Sequence, residues 1–253
     1  MKFIFILVMV MVYQVFGWKE NRIKRMPQHA NYTPVTNDVA MRYLTHFGYV
    51  NPPKDTAIAS LQNVSQRNLE IPLEIVIRSF QEFNNLPITG ELDEATKTFM
   101  ASPRCGIKDN IKNLRFNIPM PWKNQKITYA VLNTSPYLAL VDFRKVIRKA
   151  FDIWSSVIPR DFEETELKNS ADIKIKFLTG VHGDHPDGAS ENYKNQNVLA
   201  HAGVQVFSNS NSHGFVHFDT EQNWKIYKTG DKVSFLTHDV LLVAIHEIGH
   251  ALE

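Results

Sequence analysis

Residues 237–252 read Thr-His-Asp-Val-Leu-Leu-Val-Ala-Ile-His-Glu-Ile-Gly-His-Ala-Leu. The stretch is apolar enough to form a buried helix, and His246 and His250 stand four apart within it. That spacing stacks both imidazoles on one helical face, so both can reach one metal ion. Glu247 is angularly offset from that face. It would not ligate, but it can take a proton from a water that the metal activates, and zinc lowers the pKa of such a water to about 7. An HExxH run also arises by chance in amphipathic helices with surface histidines. Here Ile245, Ile248 and Leu252 alternate with the pair, and Gly249 thins the helix beside it.

Working outward, the next informative residue is Cys105, the one cysteine of the chain, set in Pro103-Arg104-Cys105-Gly106-Ile107-Lys108-Asp109. A thiolate is a strong zinc ligand. Placed where the attacking water must sit, it would block hydrolysis. Arg104 and Asp109 flank it and can pair to hold the segment extended. A lone cysteine is more often a buried structural thiol, but that reading explains neither the preceding Pro-Arg nor the character of the N-terminus.

Met1-Lys2 is followed by a nearly all-apolar run, Phe3 to Phe16, with Val15 and Gly17 at the small-residue positions of a cleavage site before Trp18. This reads as a secretory signal peptide over residues 1–17. A membrane anchor needs roughly 20 apolar residues, and the run is shorter; no other segment is apolar enough to span. Export favours paired cysteines, so a single thiol points to an intermolecular bridge or a dedicated chemical task. Sequons at Asn31, Asn63 and Asn133 fit export. The net charge of +2 gives no reason to expect nucleic acid or a membrane surface as partner.

A polar lead-in, Trp18 to Thr36, contains Arg22-Ile23-Lys24-Arg25, which is either a basic processing site or a solvated charge run. Residues 37–100 then read as a small helical unit. Val39, Tyr43, Leu44, Phe47 and Val50 recur at helical spacing. A second helix is expected at Ala57 to Val64, and a third at Leu73 to Phe83 with Ile75, Ile77, Phe80 and Phe83 on its apolar side. Leu86 to Gly90 is a turn, and Asp93 caps a short last helix. From Lys126 the period changes to two. Ile127, Tyr129 and Val131 mark a strand, and Ala171 to Phe177 another. Leu138 to Ser156 is helical, with Val141, Val146, Ala150, Phe151 and Trp154 as its apolar residues. Asp184 to Asn197 is a long loop, and Val198 to Phe207 and Gly214 to Asp219 are strands. The fold class is α+β, with a domain boundary between Cys105 and about Phe116.

A second cluster, His185, Asp187, His201 and His217, supplies three imidazoles and a carboxylate. Four protein ligands with no vacancy describe a closed, structural zinc site.

Together these residues resemble a matrixin, a secreted matrix metalloproteinase, over nearly all of the chain from Trp18. Phe80 to Phe83 with Leu86 to Thr96 resembles the family's three-helix prodomain, itself similar to peptidoglycan-binding modules. Pro103-Arg104-Cys105-Gly106 resembles its cysteine switch, with Lys108 where a proline is usual. The resemblance implies a helical prodomain over 18–109 and a metzincin-like zinc metalloprotease domain over 110–253, with a twisted mixed sheet and helices. It implies His246 and His250 on catalytic zinc, Glu247 as general base and Cys105 as the inhibitory ligand of the zymogen. His185, Asp187, His201 and His217 would hold structural zinc. Asp172 and Asp219 match calcium positions, while Tyr137, Tyr193, Phe215 and Gln222 stand where acidic residues are usual. A first activating cut is expected in the loop with Lys54 and maturation near Phe116. The strand around Leu199 to His201 resembles the edge that pairs with an extended substrate. Extracellular protein or peptide substrates, an activating protease and tissue-type metalloproteinase inhibitors are the implied partners.

The family motif continues as HExGHxxGxxH. Here Glu253 occupies the glycine position and the sequence ends, so the catalytic domain is expected to be incomplete after the HExGH helix. A catalytic zinc normally has three protein ligands. Two readings follow: a secreted zinc endopeptidase zymogen, or a non-catalytic or weakly active binding protein. A third, a glycan-binding module, rests on the prodomain alone.

Overall fold

The computed structural model describes residues 35–50, 72–109, 122–179, 198–206, 212–232, 234 and 236–252. The expected signal segment, the basic run at Arg22 to Arg25, the helix at Ala57 to Val64, the loop with Lys54 and the region of Phe116 lie outside them. So do His185 and Asp187. The described residues fall into two compact units. Among them no helix is long and apolar enough to cross a membrane.

Among the described residues the first unit holds three helices: α1 (Asn37–His46), α2 (Leu73–Phe83) and α3 (Glu94–Met100). Thr36 caps α1 by accepting from Val39 N–H, and Asp93 caps α3 by accepting from Thr96 N–H, which satisfies donors that a helix start otherwise leaves open. Tyr43, Leu44 and Phe47 from α1 and its exit are buried, with Phe80 edge-on to Tyr43. The apolar side of α2 is rotated from the expected one. Val76, Ile77 and Phe80 are buried, whereas Ile75 and Phe83 are 48% and 45% exposed. The reason is Gln81, fully buried on the same face. Its Nε2 shares two hydrogens among Thr89 Oγ1, Glu91 C=O and Thr96 Oγ1, and its Oε1 accepts from Gly90 N–H. A fully satisfied amide is a low-cost core residue. It fixes the turn at Gly90, whose φ of +78° is a conformation glycine adopts readily.

Among the described residues the second unit is a mixed sheet with two helices. Its elements are β1 (Lys126–Val131), α4 (Leu140–Ser155), β2 (Asp161–Glu164), β3 (Ile173–Leu178), β4 (Val198–Val206), β5 (Ser212–Asp219), β6 (Trp224–Lys225), β7 (His238–Asp239) and α5 (Val240–Leu252). Five strands run in the order β4-β5-β3-β1-β2. β1 pairs in parallel with β2 and β3, β3 in parallel with β5, and β4 runs antiparallel to β5. Alternation in β3 buries Ile173, Ile175 and Phe177, as period-two reading requires. β2 carries one buried residue, Phe162, too weak a pattern to read from sequence.

α4 turns Phe143, Val146, Ile147, Ala150, Phe151 and Trp154 inward, while Val141 is 60% exposed, so it is not part of the apolar side. Tyr129 stacks on Phe151 with ring centroids 4.2 Å apart, and Phe177 stacks on Phe218 at 5.1 Å. Val240, Ala244, Ile245, Ile248 and Ala251 of α5 join the same core, so the histidine helix is packed into the hydrophobic centre of this unit.

The sequon residue Asn133 has a structural task. Its side chain donates to Phe177 C=O at 2.9 Å and accepts from Phe177 N–H at 2.7 Å. The carboxamide thus mimics one further backbone unit beside β3. Asn133→Ala is expected to lower stability by about 1–3 kcal/mol, the cost of leaving two backbone groups unmatched, as measured by denaturant unfolding.

Candidate metal centre

α5 begins at a cap that its sequence supplies. Asp239 Oδ1 accepts from Leu241 N–H at 2.9 Å. From there the chain runs as helix to Leu252 with Val240, Ala244, Ile245, Ile248 and Ala251 buried. One turn of helix separates His246 from His250, and both are half-buried. Their Nε2 atoms lie 3.2 Å apart, with ring centroids at 4.9 Å and planes 79° apart. Two nitrogens bound to one zinc at ~2.0–2.1 Å with tetrahedral angles lie ~3.3 Å apart. The observed pair therefore fits a shared zinc ion. Glu247, 1% exposed, occupies the position one residue on, turned by about 100° from the first ligand.

The second cluster is half described. β4 and β5 pair His201 directly opposite His217. His201 Nε2 and His217 Nδ1 are 3.3 Å apart, and both side chains are buried. The same zinc separation is met here by cross-strand register rather than by helical spacing. Phe215 lies beside both rings and keeps the surroundings apolar.

The two carboxylates at calcium positions stand apart. Asp172 precedes β3, and Asp219 ends β5 alongside Leu178, the far end of β3. Asp172 Oδ2 accepts from both the N–H and the hydroxyl of Thr128 at 2.7 Å. Asp219 is buried, and its carboxylate accepts from Glu221 N–H at 2.9 Å and from the Gln222 amide at 2.8 Å. Both side chains are engaged in holding strand ends.

In the first unit, Cys105 lies within a segment clamped on both sides. Arg104 pairs with Asp109, donates to the Tyr43 hydroxyl at 3.1 Å and lies over the Phe47 ring at 3.7 Å. Asp109 also accepts from the Tyr49 hydroxyl at 2.6 Å, and its N–H donates to Phe47 C=O. The expected Arg104–Asp109 pairing is therefore present. Burial, reinforced by the adjacent Asp109 carboxylate, holds the Tyr49 phenol far above its ordinary pKa, so it remains a hydrogen donor at any physiological pH.

Trp154 reads from sequence only as an apolar helix residue, and Trp122 carries no sequence signal at all. The indole of Trp154 donates to Ile245 C=O, and that of Trp122 donates to Ala251 C=O. No spacing signal reveals where an indole N–H will point. Asp239 was likewise silent, since an aspartate before an apolar run is a common N-cap.

Burial raises the pKa of Asp239 above its ordinary value, with Leu241 N–H, Leu242 N–H and Lys149 opposing the shift only in part. A carboxyl whose folded pKa exceeds its unfolded one contributes fully below the unfolded value, about 3.9, and loses that contribution as pH rises through the folded pKa. Asparagine caps as well as aspartate and has no charge to desolvate. Asp239→Asn is therefore expected to match the parent in thermal stability near pH 3.5 and to exceed it at pH 7, as read by thermal unfolding across that range.

Residues 121–253 match the family described as Matrixin, and residues 40–100 match a putative peptidoglycan binding domain. The chain is 37% identical over 227 residues to Metalloendoproteinase 1-MMP of Arabidopsis thaliana, covering 83% of this chain and 57% of that protein. It is 32% identical over 225 residues to Matrix metalloproteinase-16 of Homo sapiens, covering 83% of this chain and 34% of that protein. To Matrix metalloproteinase-C of Caenorhabditis elegans it is 34% identical over 220 residues, covering 86% and 36%. The chain thus spans between about a third and somewhat over half of the length of these relatives.

Proposed function

This chain belongs to the matrixin family of zinc metalloendopeptidases, and on that premise we propose that it is the latent, secreted form of an endopeptidase acting on extracellular proteins. The observation that carries the reading is the 3.2 Å approach of His246 Nε2 to His250 Nε2. These two side chains would hold the catalytic zinc. When bound, zinc would supply Lewis acidity toward the scissile carbonyl and toward the attacking water. Glu247, fixed on the same buried helix, would take a proton from that water and return it to the departing amide nitrogen. β4, around Leu199 to His201, would receive the substrate as an added strand.

Latency is assigned to Cys105. Support comes from the clamp around it, in which Arg104, Asp109, Tyr43, Tyr49 and Phe47 fix the backbone on either side of the thiol. A pre-fixed ligand loses little freedom on binding, so one thiol can compete with water for a metal position. Structural zinc would be held by His201 and His217 together with His185 and Asp187. Asp172 and Asp219 each hold a strand end through hydrogen bonds, and calcium forms no part of the proposal. The partners that follow are extracellular protein or peptide substrates, a protease that removes the N-terminal unit, and tissue-type metalloproteinase inhibitors.

The test is cleavage of a quenched fluorogenic peptide by the full zinc-loaded chain. The chain as purified should be silent and should become active on treatment with a thiol-modifying mercurial. Cys105→Ser should be active without treatment, and Glu247→Ala should lose at least about 100-fold after treatment, the usual scale of a general base. A mercurial-treated chain with zinc bound and no cleavage would refute the enzymatic reading. A Cys105→Ser chain that stays silent until proteolysis would refute the latency assignment alone.

A further inference from the structure

Two buried indoles meet α5 at the two peptide carbonyls that bracket the histidine pair. Trp154 Nε1–H donates to Ile245 C=O at 2.8 Å, and Trp122 Nε1–H donates to Ala251 C=O at 2.9 Å. Ile245 immediately precedes His246, and Ala251 immediately follows His250. The two indoles are 4% and 7% exposed and arrive from different parts of the unit. Trp154 sits in the last turn of α4. Trp122 lies just before β1; its own carbonyl accepts from the Arg160 guanidinium at 3.1 Å. Its ring rests against β5 at Gly214, where a Cβ would come within 3.1 Å of Trp122 Cζ2.

Helix formation alone does not call for these bonds. Ile245 C=O already faces Gly249 N–H in the helical pattern, so Trp154 adds a second donor to an acceptor that is served. Trp122 likewise brings Ala251 C=O a side-chain donor from outside α5. α5 is also gripped by apolar packing, which is non-directional. A helix so held can slide or roll by fractions of an ångström at little cost. Hydrogen bonds to carbonyls about 9 Å apart along the axis resist both motions.

We propose that Trp122 and Trp154 are positioning residues that hold the His246–Glu247–His250 face in metal-binding register, acting through the Ala251 and Ile245 carbonyls. The inference rests on the reading of His246 and His250 as a zinc pair. It adds that the register of the pair is set by two side-chain donors outside the motif.

The experiment is a cobalt titration of the full metal-free chain, read as the part of the visible spectrum that His246→Ala removes. Trp122→Phe and Trp154→Phe keep an aromatic ring and delete the N–H. Trp224→Phe is the control, because its buried indole donates to Asp219 C=O, away from α5. The expected result is a cobalt dissociation constant raised about tenfold by each of the first two variants, with band positions shifted and melting temperatures comparable to the control. Trp224→Phe should lower the melting temperature and leave this site's affinity unchanged. If no part of the parent spectrum depends on His246, the zinc-pair reading fails. If the parent band is present and both variants keep its position and affinity, the positioning role fails while the zinc pair stands. Should the variants not fold, the parent chain labelled with 15N-indole tryptophan decides. Zinc addition should shift the indole N–H signals of Trp122 and Trp154 and spare that of Trp224; unmoved Trp122 and Trp154 signals would overturn the proposal.

Discussion

Imidazole nitrogens facing each other at 3.2 Å need a hydrogen on one of them or a metal between them, because two lone pairs cannot share that space. This constraint governs the design of the second unit. The i, i+4 spacing creates the approach, but only a helix that cannot shift will keep it. The sequence meets this need by making α5 one of the most apolar elements of the chain and burying it in the core that Phe143, Phe151, Trp154, Phe177 and Phe218 build. The result is a polar triad on a helix whose other sides are anchored by hydrophobic burial. A second imidazole pair, His201 and His217, reaches nearly the same separation, 3.3 Å, through antiparallel register. The same spacing has thus been reached by the two periodicities available to a polypeptide.

The first unit shows the complementary logic. Its chemistry-bearing residue, Cys105, sits in a two-residue extended stretch, Arg104–Cys105, outside the helices, where backbone freedom would ordinarily be large. The freedom is removed by a buried ion pair, a cation–π contact and two phenols. The Arg104 and Asp109 side chains are only 17% and 8% exposed, so this pair is not a solvent-screened surface bridge. Breaking it would leave a buried charge unmatched, a loss of about 3–5 kcal/mol. Tyr43, Tyr49 and the Cys105 carbonyl add further hydrogen bonds to the pair, which helps such a pair to be buried.

Much of this was legible in the sequence because it depends on period and spacing. The helices at 73–83 and 240–252, the strands at 126–131 and 173–178, the Asp93 cap and the Arg104–Asp109 pair all follow from local pattern. What escaped has physical reasons. The face of α2 was misjudged because Gln81 is buried, and a polar letter carries no sign that four hydrogen bonds will satisfy it. Ile75, Phe83 and Val141 are exposed although apolar, since a surface always retains some apolar area. β2 is legible only through its partner β1. The indole bonds of Trp122 and Trp154 join residues 129 and 91 positions apart in sequence, and nothing local encodes them. At the candidate site the ligand types and spacing could be read in advance, whereas the groups that hold them in place could not.

The account turns on one ion gripped by two imidazoles of α5. Diffraction from crystals of the zinc-loaded chain, recorded on both sides of the zinc absorption edge, locates that ion without reference to activity. The account predicts an anomalous peak ~2.0–2.1 Å from the Nε2 atoms of both His246 and His250. A zinc-loaded crystal with no peak there, or with a peak touching only one of the two rings, would contradict it.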